Sequence, residues 1–325
     1  MSVREIDPSD DAALRSYVAI DAADAQARPY GAAWTFEELR VTARRHDPWV
    51  EHRWLLATDG GAPVASAHLE LPLRDNTDTV WVSLAAVPGT RRMLERLCDH
   101  AFAIAADAGR TLVEVQALAD GDGQLWGLLS GRGLEVGLVN AHRVLDLPPD
   151  RAALARIEDE TAPWRTAYEL RSWSGACPPD LVEAWAGLRA VLVLEAPSGD
   201  HEYEAEDFTP ERIRHEEAEL VAQQRQSFVT VAVRDGTAIA HSQLIVPGTD
   251  PVNAYQWDTI VLPAHRGHRL GLALKARNLA EAAAALEPRR VLHTWNAEDN
   301  APMIAVNEAM GFRLVEREAL FRLRL

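Results

Sequence analysis

Residues 229–247 read VTVAVRDGTAIAHSQLIVP, and 175 positions earlier residues 54–72 read WLLATDGGAPVASAHLELP. Laid over one another, Ala57 falls on Ala232, Gly61 on Gly236, Ala65 on Ala240, Leu69 on Leu244 and Pro72 on Pro247. The same shift sets Pro88 on Pro263 and Arg91 on Arg266. Each stretch is two apolar runs around a turn carrying Gly60-Gly61 or Asp235-Gly236, residues that accept the positive φ of a two-residue hairpin turn. A hairpin repeated in register makes the chain two copies of one fold.

Working outward, the first copy reads as a strand at 3–7, helices at 10–27 and 35–47, strands at 53–58, 64–71 and 79–87, a helix at 91–108, a strand at 111–116, a short helix at 123–129 and a last strand at 134–147. Thr35 and Glu38 fit a capping box. The second copy has a strand at 166–173, helices at 179–194 and 210–226, strands at 228–234, 238–246 and 253–262, a long helix at 267–287, a strand at 290–295, a helix at 301–310 and a strand at 312–323. Thr209 reads as an N-cap with Pro210 at the first helical position. Leu272, Ala276, Leu279, Ala283 and Leu286 give the long helix one buried face. The order β-α-α-β-β-β-α-β-α-β predicts an α/β (mixed α+β) protein of two units, each a mostly antiparallel sheet flanked by helices. The expected division is residues 1–147, a proline-bearing linker at 148–165, and residues 166–325.

Composition narrows the class. The chain has 325 residues, with 33 basic and 49 acidic side chains and a net charge of −16, which disfavours a nucleic-acid partner. It is 47% hydrophobic and 25% charged, the profile of a globular protein. No apolar run is long enough for a membrane span and the N-terminus is acidic, so a cytoplasmic protein without membrane contact is expected. Cys98 and Cys177 are too few for a metal cage or disulfide framework and read as core. Lys275 is the lone lysine among many arginines, a mark of composition rather than of function.

The chemistry concentrates in residues 259–275, TIVLPAHRGHRLGLALK. A buried strand ends at Pro263, and a loop with Arg266, Gly267 and Gly271 opens the long helix. Free N–H groups and the helix dipole there suit an anion such as a pyrophosphate, and an unligated structural turn is the plain alternative. A second stretch, residues 295–312, reads WNAEDNAPMIAVNEAMGF. Together, RGHRLG and NAPMIAVNEAMGF resemble the GNAT superfamily of acyl-coenzyme-A-dependent N-acetyltransferases. The close match covers about 228–312; with the weaker first copy the whole chain looks like a tandem GNAT protein, an arrangement also seen in mycothiol synthase.

The resemblance implies acetyl-CoA as co-substrate. It implies main-chain pairing of Ile260 and Val261 with the acyl and pantetheine arm. The pyrophosphate would lie on residues 266–271 (Arg266, Gly267, His268, Arg269, Leu270, Gly271), with Asn300 on the pantetheine side. Arg269 stands where the family has a central glycine; it either meets the diphosphate or points to solvent. Asn300 also fits a helix cap. Asn307 occupies the place of a tyrosine that protonates the leaving thiolate in many members, and an amide cannot supply that proton.

Asp258 is the first candidate base, since family bases often come from its strand, and His241 is the second, on its ordinary pKa; either could be structural. The stretch 195–219 holds ten acidic residues against two arginines. Glu202, Tyr203, Glu204 and Trp257 are the candidate acceptor-binding residues, the alternatives being a solvated helix face and core aromatics.

At the matching loop the first copy reads Pro88-Gly89-Thr90-Arg91-Arg92-Met93-Leu94-Glu95-Arg96. It lacks glycines where a phosphate would approach, so this half is expected to have lost cofactor binding. His265 and His268 have no third ligand in view, and no metal is expected. The reading is an N-acetyltransferase that moves acetyl from acetyl-CoA directly to an amine of a small molecule, a cationic one being favoured, in a monomer. The alternatives are a catalytically silent acyl-CoA-binding protein and a peptide or protein N-acetyltransferase.

Overall fold

The computed structural model describes residues 2–119, 124–195, 199 and 203–325. The chain divides into two compact units. The first comprises residues 2–140 and 316–325 and the second residues 141–195 and 203–315.

The first unit runs β1 (Ser2–Glu5), α1 (Asp11–Gln26), α2 (Phe36–Arg44), β2 (Val50–Asp59), β3 (Ala62–Pro72), β4 (Thr79–Ala86), α3 (Arg91–Asp107), β5 (Leu112–Leu118) and α4 (Gln124–Ser130). β6 (Glu135–Asp146) follows and ends in the second unit. The second unit continues with α5 (Arg151–Arg165), β7 (Glu169–Ser174), α6 (Val182–Ala190), α7 (Leu192–Glu195), α8 (Pro210–Ala222), β8 (Arg225–Arg234), β9 (Thr237–Pro247) and β10 (Asn253–Val261). Next come α9 (Leu270–Glu281), α10 (Ala283–Leu286), β11 (Val291–Ala297), α11 (Ala301–Ala309) and the final strand β12 (Arg313–Arg324). Thr35 and Glu38 form the capping box on α2, and Thr209 caps α8 with Pro210 in its first turn.

The order of strands in the first unit is β1-β2-β3-β4-β5-β12, with only the β4–β5 pair parallel. In the second it is β6-β11-β10-β9-β8-β7; β7 to β10 are antiparallel and β10–β11 is parallel. The two hairpins agree in detail. Ala57 pairs with Ala65 and Ala232 with Ala240, and each register slips at the next residue, between Ala57 and Thr58 and between Ala232 and Val233. Gly60-Gly61 and Asp235-Gly236 all have positive φ, as the turn chemistry requires.

The unit boundaries depart from the sequence expectation in two places. Residues 148–165, read as a linker, contain α5, capped by Asp150 and burying Ile157 and Thr161. Two prolines before the helix are compatible with such a cap, and Pro163 sits near the helix end. In addition, the last strand of the chain does not complete the second unit. Residues 318–324 pair with β5, so the C-terminal strand finishes the sheet of the first unit. The long helix expected over 267–287 starts later and breaks at Ala282 into α9 and α10.

Each sheet is covered on both faces. In the first unit α1 and α2 pack Leu14, Tyr17, Ile20 and Leu39 against Trp54 and Leu56, while α3 packs Met93, Leu97 and Ala101 on the other face. In the second, α6 and α8 bring Trp185, Ala186 and Ile213 onto Val229 and Val231, and the α9 face buries Leu272, Leu274 and Leu279. Cys98 and Cys177 are free, buried thiols, each pushed up to about 12 by burial. Phe321, 1% exposed on the C-terminal strand, meets Trp126 edge-on with centroids 4.8 Å apart. Phe321→Ala therefore removes about 3–5 kcal/mol from the first unit, read as an earlier urea transition by circular dichroism.

Candidate active site

Strand β10 carries the geometry that organises the site. Thr259 pairs with Ser242 and Gln256 with Leu244, so Trp257 and Asp258 together face the single residue Gln243. That is a β-bulge, a device that re-aims side chains and ends regular pairing. Toward the neighbouring strand, β10 pairs with β11 only through Asn253, Ala254 and Tyr255. The strands then part, leaving Ile260 and Val261 without a ladder partner on the β11 side. The pairing of β3 with β4 in the first unit runs unbroken from Ala65–Ala86 to Glu70–Trp81. The bulge thus separates the second unit from its copy.

Beyond β10 the chain makes a short turn and enters α9. Its N-cap is Arg269, with φ 52°, and no side chain caps the helix. The amides of Leu270, Gly271 and Leu272 begin the helix without such a partner. Arg269 thus occupies the left-handed conformation that the family glycine adopts freely, at a cost of roughly 1 kcal/mol. A Cβ on Gly271 would stand 3.8 Å from Thr259, 3.9 Å from Val261 and 4.0 Å from Val306, so this glycine opens a slot between β10 and α11. An uncapped N-terminus alone is not distinctive, since Thr90 does not cap α3 either.

The cationic side chains of the loop are held by glutamates. Arg266 donates to the Val261 carbonyl at 3.1 Å and pairs with Glu195 at 2.6 Å, and Arg269 pairs with Glu160 at 2.6 Å. His268 donates from Nδ1 to the carbonyls of His265 and Arg266. Arg269 is therefore half-exposed and turned to the Glu160 carboxylate. Asn300 is the N-cap of α11, accepting from the Met303 amide at 3.2 Å.

Asn307 is fully buried and engaged at both ends. Its carbonyl accepts from Lys275 Nζ at 2.6 Å and its amide donates to Asn296 at 2.6 Å. Lys275 is 1% exposed, and burial lowers its amine to about 7. Asn278, one turn further along α9, accepts from Thr230 at 2.6 Å and donates to the Ser242 carbonyl at 2.7 Å. The helix that offers its amides is fixed to the sheet by these contacts.

The other face of the sheet holds the two candidate bases. Asp258 is 34% exposed and lies 3.8 Å from the buried Arg189 guanidinium. Burial raises its carboxyl above the usual aspartate range; Arg189 opposes that and Glu216 adds to it. Arg189 is hydrogen-bonded to Glu216, and Arg189 and Arg212 both lie over the Phe208 ring, 4.2 and 4.0 Å from its centroid. His241 is fully buried and accepts from Trp185 Nε1 at 3.4 Å. Burial, with Arg189 nearby, drives it down to about 3, which disfavours a proton there near neutrality. The expectation rested on its ordinary pKa, which its surroundings remove.

The remaining expected residues are scattered. Trp257, on the bulge, is 39% exposed rather than core. Tyr203 is half-buried, Glu204 is exposed and Glu202 lies outside the described residues. Several acidic residues of 195–219 serve the fold: Glu195 pairs with Arg266, Glu206 and Glu216 with Arg212, and Glu217 with Arg214. Arg189, Glu216 and Lys275 are the site residues that sequence patterns did not single out. The only signal was that Lys275 is the sole lysine.

Residues 188–312 match the model of the Acetyltransferase (GNAT) family. The structure is similar to a tandem GNAT protein from the clavulanic acid biosynthesis pathway, with a TM-score of 0.78 at 24% identity, over 99% of this chain and 98% of that one. It is also similar to a GCN5-related N-acetyltransferase from Sphaerobacter thermophilus, with a TM-score of 0.64 at 17% identity, over 99% and 95% of the two chains. A third likeness is to the glucosamine N-acetyltransferase region of a fungal multi-domain GH3 β-N-acetylglucosaminidase, with a TM-score of 0.66 at 13% identity, over 99% of this chain and 38% of that one. A search of curated proteins gives no match. The chain is a tandem GNAT-fold protein, and the family match falls on the half that carries the bulge. Among the described residues no helix is long and apolar enough to cross a membrane.

The buried lysine yields a test with a definite sign. Its amine titrates at about 7 in the fold and near its ordinary, higher value when unfolded. Below pH 7 both states are protonated and the full burial cost is present; as pH rises above 7 the folded state sheds that cost. Lys275→Met lacks this term. Its stability relative to wild type is accordingly better at pH 6 than at pH 9, falling by at most about 1.4 kcal/mol per pH unit above 7 in urea melts.

Proposed function

We propose that the second unit transfers an acetyl group from acetyl-CoA to the amine of a small molecule. The observation that carries this reading is the bulge in β10, which sets Trp257 and Asp258 against a single residue of β9 where β10 no longer pairs with β11, next to the uncapped amides of α9. The residues suit an extended thioester with a diphosphate tail. Amides at Leu270, Gly271 and Leu272 offer donors and positive partial charge to the diphosphate. On the open side of β10, Val261 offers its main-chain amide to an amide-bearing arm, its carbonyl being taken by Arg266. Gly271 leaves the slot free.

The thioester supplies an activated acyl carbon and a thiolate as leaving group. Asp258 is the base in this reading. It projects from the bulge, is partly open to solvent, and has a carboxyl raised toward the pH at which an amine must be deprotonated. As the N–C bond forms and the C–S bond breaks, the proton of the attacking nitrogen passes to the Asp258 carboxylate. Asn307 makes no proton transfer, since both of its ends are held by Lys275 and Asn296. The thiolate leaves to solvent, a fair outcome for a thiol near neutral pH. Around Asp258 the three carboxylates of Asp258, Glu216 and Glu206 stand against the two guanidiniums of Arg189 and Arg212, and the remaining negative charge favours a cationic acceptor. Two of the structural relatives named above are a tandem GNAT protein from the clavulanic acid biosynthesis pathway and a glucosamine N-acetyltransferase region, which agrees with a small-molecule acceptor.

Thiol release from acetyl-CoA against panels of small amines, amino sugars and peptides tests the proposal; release with peptides alone, or with no amine at all, defeats it. Asp258→Asn lowers kcat by about 10²–10⁴ with the acetyl-CoA KM little changed. Glu216→Gln removes a charge that raises the Asp258 pKa, so the acid limb of the kcat/KM profile moves to lower pH. Gly271→Val fills the slot and weakens coenzyme A binding at least about tenfold by calorimetry, and its crowding of Thr259, Val261 and Val306 costs about 1–3 kcal/mol of stability in urea melts.

A further inference from the structure

The first unit carries a side-chain cluster that acyl transfer in the second does not use. Four side chains on β2 and β3 face α1 and α2: His52, Trp54, His68 and Glu70. The ladder sets His52 opposite Glu70 and Trp54 opposite His68. The Trp54 ring lies flat on His68, with centroids 3.7 Å apart and planes 3° apart, and Trp34 meets the same imidazole edge-on. The plane of His68 is thereby fixed. His52 Nδ1 stands 2.9 Å from His68 Nε2 and 3.9 Å from a Glu70 carboxylate oxygen. One ligand atom from each of the three residues falls within 4.8 Å of the others.

We propose that His52, His68 and Glu70 form a binding site for a divalent late transition metal, with nickel or copper fitting better than zinc. The nitrogen spacing decides the class. With metal–nitrogen bonds of about 2.0–2.1 Å, nitrogens about 2.9 Å apart subtend about 90° at the ion, whereas a tetrahedral ion asks for about 3.4 Å. Right angles belong to octahedral and tetragonal coordination, as of Fe²⁺, Ni²⁺ and Cu²⁺, rather than to tetrahedral zinc. One imidazole now donates to the other; moving that hydrogen to the far ring nitrogen turns both lone pairs to the ion. Glu70 adds a negative charge, and its side chain is 40% exposed, which leaves a route of entry. The remaining coordination positions go to water. The sequence did not show this site because its ligands come from two strands, and only the hairpin register brings them together.

Tag-free, full-length protein stripped with a chelator is titrated with Ni²⁺ in a calorimeter. One ion binds per chain, and wild-type melting temperature rises with the metal. His52→Asn and Glu70→Gln each weaken binding at least about tenfold, and the melting shift disappears. Both positions are partly exposed, so circular dichroism of the variants stays native. His46→Asn, an exposed histidine outside the cluster, binds as wild type. Absence of saturable binding, or Ni²⁺ affinity unchanged in His52→Asn and Glu70→Gln, overturns the site. Neither outcome bears on acetyl transfer, which is read from thiol release.

Discussion

The arrangement of the second unit depends on how α9 is held. Asn278 binds Thr230 of β8 and the Ser242 carbonyl of β9 from inside the core, and Lys275 reaches Asn307 of α11 from the same helix. Each such bond adds only about 1 kcal/mol net, but leaving either partner unpaired costs about 1–3 kcal/mol. A slid or rotated helix would orphan several buried groups at once. The network thus fixes where the helix begins relative to β10, and the amides of α9 are useful to a ligand only at that place. Ångström errors in such positioning are costly to catalysis.

The two units show what duplication keeps and what it changes. The hairpin register is kept, including the slip at Ala57/Thr58 and Ala232/Val233. What differs is one extra residue in β10 against an unbroken β4. A bulge exposes a carboxylate, Asp258, that a regular strand would pair and pack. Meanwhile the polar residues buried on the α1 and α2 face of the first unit are aromatic and imidazole groups stacked on one another, a dense arrangement unlike the ionic cluster of Arg189, Glu216 and Asp258.

Local chemistry was legible in the sequence. Gly60-Gly61 and Asp235-Gly236 announce their turns because positive φ is tolerated by few residues, and Thr35, Thr209 and Asn300 announce helix starts because their side chains can close on the first amides. Burial was not legible. His241 carries the same imidazole whether exposed or enclosed, and only its surroundings take its pKa to about 3. Lys275 looked like an accident of composition because no sequence pattern shows a lysine entering a core. Contacts between distant residues were hidden for the same reason: Arg189 meets Glu216 and Asp258 across three separate elements. The prolines before α5 read as a connector because they cannot donate a backbone hydrogen bond, whereas the Asp150 side chain caps a helix that begins just after them.

The placement of the last strand has a bearing on biogenesis. Residues 316–325 complete a sheet whose other strands lie within the first 118 positions. At translation speeds of about 5–20 residues per second, nearly two hundred residues must leave the ribosome, over roughly ten to forty seconds, between the synthesis of β5 and that of its partner β12. During that interval the edge of β5 is open, and a nascent chain with an unpaired strand edge is prone to wrong partners. The first half made is therefore the last to be finished.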